Sequence, residues 1–210
     1  MCIRDSDTTI GNAQAGDVRF VDQNGDGVID LTDRTVIGNP NPDYTFGINL
    51  SLRYKAFSLS ALINGVYGND IINGNLIQMG NAEGLFRNIL SDAYHGAWRP
   101  ERQSNTYPRI GYVPSQGSPE FFATTDRYVE DGSYLRLNNI TLGFDLPIND
   151  NNAIKSANIY VTGQNLLTLT NYSGYDPEIT TFMWTGLING VDWNGPPNSR
   201  NILIGLNINL

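Results

Sequence analysis

Residues 45–67 read "TFGINLSLRYKAFSLSALINGVY". Phe46, Ile48, Leu50, Leu52 and Tyr54 share one side of a period-two pattern, and Thr45, Gly47, Asn49, Ser51, Arg53 and Lys55 share the other. A period of two is the signature of a strand with one apolar and one polar face. The pattern restarts at once, with Phe57, Leu59, Ala61 and Ile63 opposed to Ser58, Ser60 and Asn64. Almost nothing separates the two runs, so they form a hairpin closed by a very short turn near Lys55–Phe57.

Three further runs follow the same plan. They are 133–147, stopped by Pro147, then 156–169, then 201–210, where Ile202, Ile204, Leu206, Ile208 and Leu210 fall on one face. Each run is roughly 10–13 residues, against about 9–11 for a tilted membrane barrel strand and about 5–6 for an ordinary globular strand. The connections alternate between short (near 56 and 150) and long (68–132 and 170–200). Outer-membrane barrels have that alternation, with short turns on the periplasmic side and long loops outside. On pattern alone a large soluble β-sandwich with decorated loops competes with the barrel.

Composition narrows the classes. The 210 residues carry a formal net charge of −8, which argues against a nucleic-acid partner, since that needs a basic face. No apolar run approaches the roughly 20 residues of a transmembrane helix, though barrel strands escape that test. The single cysteine, Cys2, forms no internal disulfide.

One stretch carries metal chemistry. Residues 22–33, "DQNGDGVIDLTD", match the spacing of an EF-hand-type calcium loop, whose oxygens come from positions 1, 3, 5, 7, 9 and 12. Those positions are Asp22, Asn24, Asp26, Val28 (through its carbonyl), Asp30 and Asp33, with Gly27 at the sharp turn. Asp33 in place of Glu resembles the loops of dockerins. "GDVRFV" before the loop alternates like a strand, and "RTVIGNPNPDY" after it is too rich in Pro, Gly and Asn for a long helix. The loop is therefore expected to be a structural calcium clip within a β-rich protein, with a solvated Asp/Gly turn that holds no metal as the competing reading. Within 68–132, "AEGLFRNILSDAYHGAW" places Leu85, Ile89, Ala93 and Trp98 at helical spacing, and Arg99–Pro100 ends that one short loop helix. Residues 1–6, "MCIRDS", have no apolar core of a signal peptide and read as a non-native tag.

Several segments together resemble the C-terminal end of the SusC/RagA-type TonB-linked outer-membrane transporters of Bacteroidota. The resemblance runs through residues 16–71, "AWRPE", "TYPR", "YVEDGSYLRLNNITLGFDLP", "YVTGQNLLTLTNYSGYDPEI" and a closing alternating strand, in that order. It covers nearly everything from residue 16 onward, with "EDGSYLRL" and "GQNLLTLT" followed by "YSGYDPE" as its closest points. It implies an all-β chain holding the last strands, about five, of a transmembrane barrel of about 22 strands. It also implies long extracellular loops, an internal plug carried elsewhere, a SusD-type surface lipoprotein that closes the barrel, and energy supplied through TonB by a missing N-terminal part. The substrates implied are glycans, or peptides in some members. Chains of this family commonly end in an aromatic residue used in assembly, and Leu210 departs from that.

If the chain ends in the periplasm, strand 201–210 runs inward, 156–169 outward, 133–147 inward, 57–67 outward and 45–55 inward. Residues 7–44 are then an extracellular loop that the calcium ion rigidifies, and 45–210 hold barrel strands and loops. Tyr175, Trp184 and Trp193 lie in the last long loop, where aromatic rings can stack on sugars or meet a lid, or pack within the loop. Asp176, Pro177 and Glu178 fit the family signature and fix that loop. His95 is the only histidine and has no Cys/His cluster around it, so it is a loop residue and no zinc or catalytic site is expected. Glu101, Asp126, Glu130 and Asp131 read as solvated loop charges rather than the paired carboxylates of a glycosidase. The competing class is an extracellular calcium-stabilised β-rich binding or adhesion module, which needs shorter strands and its own core. A sheet with one wholly apolar face and two open edges decides for the barrel.

Overall fold

The computed structural model describes residues 15–18, 20–27, 31–80, 88–110, 125–148, 154–178, 189–193 and 195–210. In chain order the elements are β1 (Tyr44–Tyr54), β2 (Phe57–Tyr67), β3 (Asp70–Asn73), α1 (Gly74–Met79), α2 (Ser91–Gly96), β4 (Ala97–Trp98), β5 (Tyr107–Arg109), β6 (Val129–Asp131), β7 (Tyr134–Asp145), β8 (Ser156–Thr170), β9 (Val191–Asp192) and β10 (Asn201–Asn209). Short 3-10 turns stand at Leu31–Asp33 and Asp126–Tyr128. The chain divides into two compact units. One takes the described residues within Met1–Asn39, Ile71–Glu130 and Thr180–Gly195, and the other those within Pro40–Asp70, Asp131–Ile179 and Pro196–Leu210.

The second unit is a five-stranded sheet in the order β1-β2-β7-β8-β10, every pair antiparallel. Spatial order follows chain order, so the sheet is a meander, and each of the five expected strands is present within two residues of its expected ends. The β1–β2 turn is Lys55–Ala56, and Tyr54 pairs with Phe57. Lys55 takes a φ of +54°, a left-handed conformation that L side chains adopt at a cost, here imposed by a two-residue hairpin turn.

A bulge in β7 keeps the two faces sorted. Leu62 pairs with Asn139 but Ile63 pairs with Leu137, leaving Asn138 as the extra residue. In the sequence the apolar phase jumps between Leu137 and Ile140. Without the bulge the side chains on one side of Asn138 would point to the wrong face, because a one-residue slip inverts a strand.

The first unit is built from short pieces. β6, β3 and β9 form a three-stranded sheet in that order, with Ile72 opposite Val191 in parallel pairing. Asn73 ends β3 and caps α1, its Oδ1 accepting the Leu76 N–H at 3.0 Å. Asn75, in the first turn of α1, donates to the fully buried Asp192 at 3.0 Å. Among the described residues of this unit, Ile71, Ile77, Ala93, Ala97 and Tyr128 are buried apolar side chains. The ring of Trp98 lies against Gly16, and Arg109 is tied to Asp17 at 2.6 Å.

The loop helix differs from its expectation. Helix α2 covers only Ser91–Gly96, residues 88–90 are not helical, and Trp98 stands in β4 beside β5. Leu85 lies outside the described residues. The helix stops before Pro100 because Ala97 is already extended (φ −57°, ψ 143°), committing the chain to strand pairing with Tyr107. A second six-residue helix, α1, was hidden in an apolar stretch too short to show a period.

Candidate functional site

The functional surface of the sheet is its two faces. The register puts Tyr44, Phe46, Ile48, Leu50, Leu52 and Tyr54 of β1 in line with Tyr67, Ile63, Ala61, Leu59 and Phe57 of β2. The line continues through Leu135, Leu137, Ile140, Leu142 and Phe144 of β7, then Leu169, Leu167, Val161 and Ile159 of β8, and Ile202, Ile204, Leu206 and Ile208 of β10. Among the described residues no layer covers this face. Leu52 is 55% exposed, Leu142 53% and Ile204 78%. Five strands spaced about 4.8 Å apart and running about 33 Å give a face of roughly 600 Å² in projection. That is at the upper limit of the apolar patches soluble monomers carry, before the relief of the side chains is counted.

The opposite face is polar: Asn49, Ser51 and Arg53, then Ser58, Ser60 and Asn64, then Asn139 and Thr141, then Asn158, Thr162 and Gln164, interrupted by Leu62, Val66 and Leu203. Its hydroxyls and amides are joined across strands. Thr141 and Thr162 share a hydrogen bond of 2.8 Å, Asn158 donates to Asp145 at 2.7 Å, and Arg53 pairs with the same carboxylate. The largest fully buried side chain among the described residues is also on this face. Arg136, 2% exposed, donates to Asp176 at 2.5 Å, to Glu178 at 2.6 Å and to Thr168 at 3.1 Å. The sheet thus buries charge on one side and exposes hydrocarbon on the other, the reverse of a water-soluble core.

Aromatic rings bracket the apolar face. At one end Tyr44 stacks on Tyr67 at 5.1 Å, and at the other Phe57 meets Phe144 at 4.8 Å beside the exposed Tyr54. The ten steps from Tyr44 to Tyr54 span about 33 Å along the strand. Tilted by about 40°, that is a band of about 25 Å, the height of the apolar belt between the aromatic girdles of outer-membrane barrels.

Comparison with known proteins agrees. No protein-family model matches the chain. It is 35% identical over 207 residues to TonB-dependent receptor P3 of Formosa agariphila, a match that covers 96% of this chain and 20% of that receptor. It is 28% identical over 198 residues to TonB-dependent receptor SusC of Bacteroides thetaiotaomicron, covering 90% of this chain and 17% of SusC. Among solved structures it matches the RagAB peptide transporter with a TM-score of 0.64 and 30% identity, over 80% of this chain and 17% of that one. The chain belongs to the SusC/RagA-type TonB-dependent receptors. It spans about a fifth of the length of the curated relatives it matches. Like them it is an outer-membrane β-barrel protein, here a five-stranded part of the wall.

Within this receptor segment the expected loop residues separate. The described residues of the stretch expected to bind calcium, 22–27 and 31–33, are tied together by side-chain-to-backbone hydrogen bonds. Asp22 accepts the N–H groups of Gly25 at 2.6 Å and Gly27 at 2.8 Å, and Asp33 accepts the N–H of Gln23 at 2.8 Å. Asn24 Oδ1 accepts from Asp26 N–H at 2.9 Å. Gly25 and Gly27 have φ of +76° and +83°, with open space around both, so the turn and not crowding requires glycine there. Val28 and Asp30 lie outside the described residues. Among the described residues no three Asp, Glu, His or Cys side chains converge on a metal position.

Of the aromatic loop residues, Tyr175 is 61% exposed. Trp193 packs its ring against Gly74, where a Cβ would come within 2.5 Å. Trp184 lies outside the described residues. His95 lies in the last turn of α2 with its ring edge-on to Tyr94 at 5.2 Å. The residue missed by sequence reasoning is Arg136. Its signal was a lone cation in the apolar run "YLRLNN", on the polar phase of the strand.

Proposed function

We propose that this chain is part of the wall of a TonB-dependent importer that takes up glycans or peptides together with a SusD-type surface lipoprotein. TonB would energise it through a part of the receptor outside this chain. The observation that carries the reading is the inverted sheet, with aliphatic side chains uncovered on one face and the buried Arg136 on the other. The kinship to SusC and to a RagAB peptide transporter supports import and leaves both substrate classes in play.

The meander also supports an orientation. Two short connections, at Lys55–Ala56 and between β7 and β8, share one end of the sheet with the end of β10. The long connections leave from the other end, at Tyr44, Tyr67, Thr170 and Asn201. Short turns face the periplasm in such barrels, so 68–132, 170–200 and the calcium loop ahead of β1 face outside.

The loop 22–33 fits a calcium ion in its donor chemistry. Its side chains offer hard oxygen ligands, and hydrogen bonds that Asp22 and Asp33 accept from neighbouring N–H groups bring the first and last ligand positions onto one turn. Asp22, Asn24, Asp26, Asp30, Asp33 and the Val28 carbonyl would hold the ion, whose contribution is structural. Tyr175 supplies an exposed ring for a sugar or a lid.

The test is purification of the full-length receptor with its neighbouring lipoprotein, followed by calorimetry with oligosaccharide and oligopeptide pools. Co-purification and saturable binding of one pool are expected. A receptor that purifies alone and binds neither pool contradicts the reading.

A further inference from the structure

The register of β1 on β2 is fixed by the two-residue turn that joins them. β8 and β10 are joined by residues 171–200, a connection too long to fix theirs. The aliphatic alternation of β10 does not fix it either. Ile202, Ile204, Leu206 and Ile208 would stay on the apolar face after a slip of two residues in either direction, because the side-chain period is two.

The polar face does distinguish the registers. Gly205 stands opposite Tyr160, and the tyrosine ring lies across the glycine, where a Cβ would overlap its Cζ and Oη. Gly205 is accordingly half-buried in a strand whose other residues are exposed. A slip of two would bring Leu203 or Asn207 opposite the ring, and the side chain of either would take the space the ring occupies. On the other side of β8 that space is already filled. Gly143 of β7 also stands opposite Tyr160, but Ser58 Oγ lies 2.5 Å from where a Cβ of Gly143 would be, with the Asn158 carboxamide at 3.4 Å. A ring also covers a glycine between β1 and β2, Phe46 over Gly65, where the turn has already set the register.

We propose that the Tyr160 ring seated over Gly205 sets the register of β10 on β8, and through β10 the offset at which the barrel wall continues past its outer edge. Among the described residues no strand pairs with that edge. In a closed barrel the stagger of each pairing enters the tilt and diameter of the whole. A two-residue slip of β10 would displace the next strand of the wall by about 7 Å. The inference concerns the wall alone and is independent of what the receptor imports and of calcium.

The experiment is disulfide trapping in the full-length receptor, in a Cys2→Ser background. Residues directly opposite across two strands stand within disulfide reach, and residues offset by two do not. Asn158→Cys with Asn207→Cys reads the observed register. Asn158→Cys with Asn209→Cys, and Thr162→Cys with Asn201→Cys, read the slips in the two directions. The otherwise unchanged receptor is expected to cross-link only the first pair, and so is Gly65→Ala, where the turn holds the register. Tyr160→Ala should raise a slipped cross-link several-fold above background. Tyr160→Gly with Gly205→Tyr, which moves the ring to the other strand, should return the cross-link to the first pair. If Tyr160→Ala fails to assemble, Tyr160→Phe and Tyr160→Leu make the same comparison, the flat ring keeping the first pair and the branched side chain losing it. A cross-link confined to the first pair in Tyr160→Ala, or one pattern shared by the Phe and Leu variants, overturns the proposal.

Discussion

Arg136 Nη2 and Asp176 Oδ1 stand 2.5 Å apart, joining two segments 40 residues distant in the chain. Both side chains are buried, and each is satisfied several times over. Asp176 also accepts from Asn198 at 2.9 Å and from the Glu178 N–H at 2.9 Å, while Arg136 reaches Glu178 and Thr168 and lies under the Tyr134 ring. The first strand of residues after β8 is thereby locked onto the polar face of β7. Arg136 and Asp176 stand in "EDGSYLRL" and "YSGYDPE", two of the segments that carry the resemblance to the family in the sequence.

Removing one member of this network leaves the other charged and buried, which costs about 3–5 kcal/mol. Arg136→Met in the full-length receptor is therefore expected to lose much of the heat-modifiable, folded band on gels. Asp176→Asn should lose less, because the amide oxygen still accepts from the guanidinium. Arg136→Lys should fall between, since an ammonium cannot serve Asp176, Glu178 and Thr168 in one plane. Equal band intensity for Arg136→Met and wild type would show that the network is dispensable.

The proposed calcium site at 22–33 makes a separate prediction. Extracellular calcium modules bind at about 10⁻⁴–10⁻³ M, and terbium luminescence of the full-length receptor should titrate in that range. Asp26→Ala is expected to abolish the signal, and chelator should raise proteolysis within 22–33. Absence of a terbium signal in wild type at millimolar metal sinks the calcium assignment.

What was legible in the sequence and what was not follows from locality. The five long strands could be read because period two is imposed by one face meeting lipid, residue after residue, as in Phe46 to Tyr54. The bulge at Asn138 could not, since a phase jump between Leu137 and Ile140 looks like noise until β2 supplies the register. The helix over 82–98 was overdrawn because Ile89, Ala93 and Trp98 fit its spacing, while the pairing of Ala97 with Tyr107 is non-local. The same holds for Asn75 and Asp192, a buried pair separated by 117 residues, and for Arg136, whose partners no spacing rule connects to it. Of the candidate ligand contacts, Tyr175 could be placed as an exposed ring, and Trp193 has its ring occupied against Gly74.

The open sheet makes a prediction about the chain by itself. Among the described residues no strand pairs with the outer edges of β1 and β10, and every residue of β1 is exposed. Hydrocarbon cannot satisfy free backbone groups, and water does not tolerate the apolar face. The 210-residue chain expressed alone should sediment as aggregate or require detergent. A monomer by light scattering, without detergent and with a cooperative melt, would speak for the soluble module instead.

Labelling along single strands tests the membrane-facing surface most directly. Ala61 is a poor reporter, although it lies on the apolar face, because Leu50 and Ile140 flank it in register and leave it 8% exposed. Leu52, Leu142 and Ile204 stand clear of their neighbours. In a Cys2→Ser background of the full-length receptor, Cys at each of these three positions should react with a membrane-partitioning maleimide and not with a charged one. Ser51→Cys, one residue from Leu52 but on the polar face, should escape the membrane-partitioning reagent. Ala61 remains useful for bulk. A ring added there projects past Leu50 and Ile140 into fluid lipid, so Ala61→Phe should assemble like wild type, whereas a close-packed protein core resists such overpacking by about 1–3 kcal/mol. If Leu52→Cys, Leu142→Cys and Ile204→Cys are shielded from both reagents and Ala61→Phe fails to fold, the apolar face packs against protein, and the band between the aromatic girdles is a buried interface rather than a lipid contact.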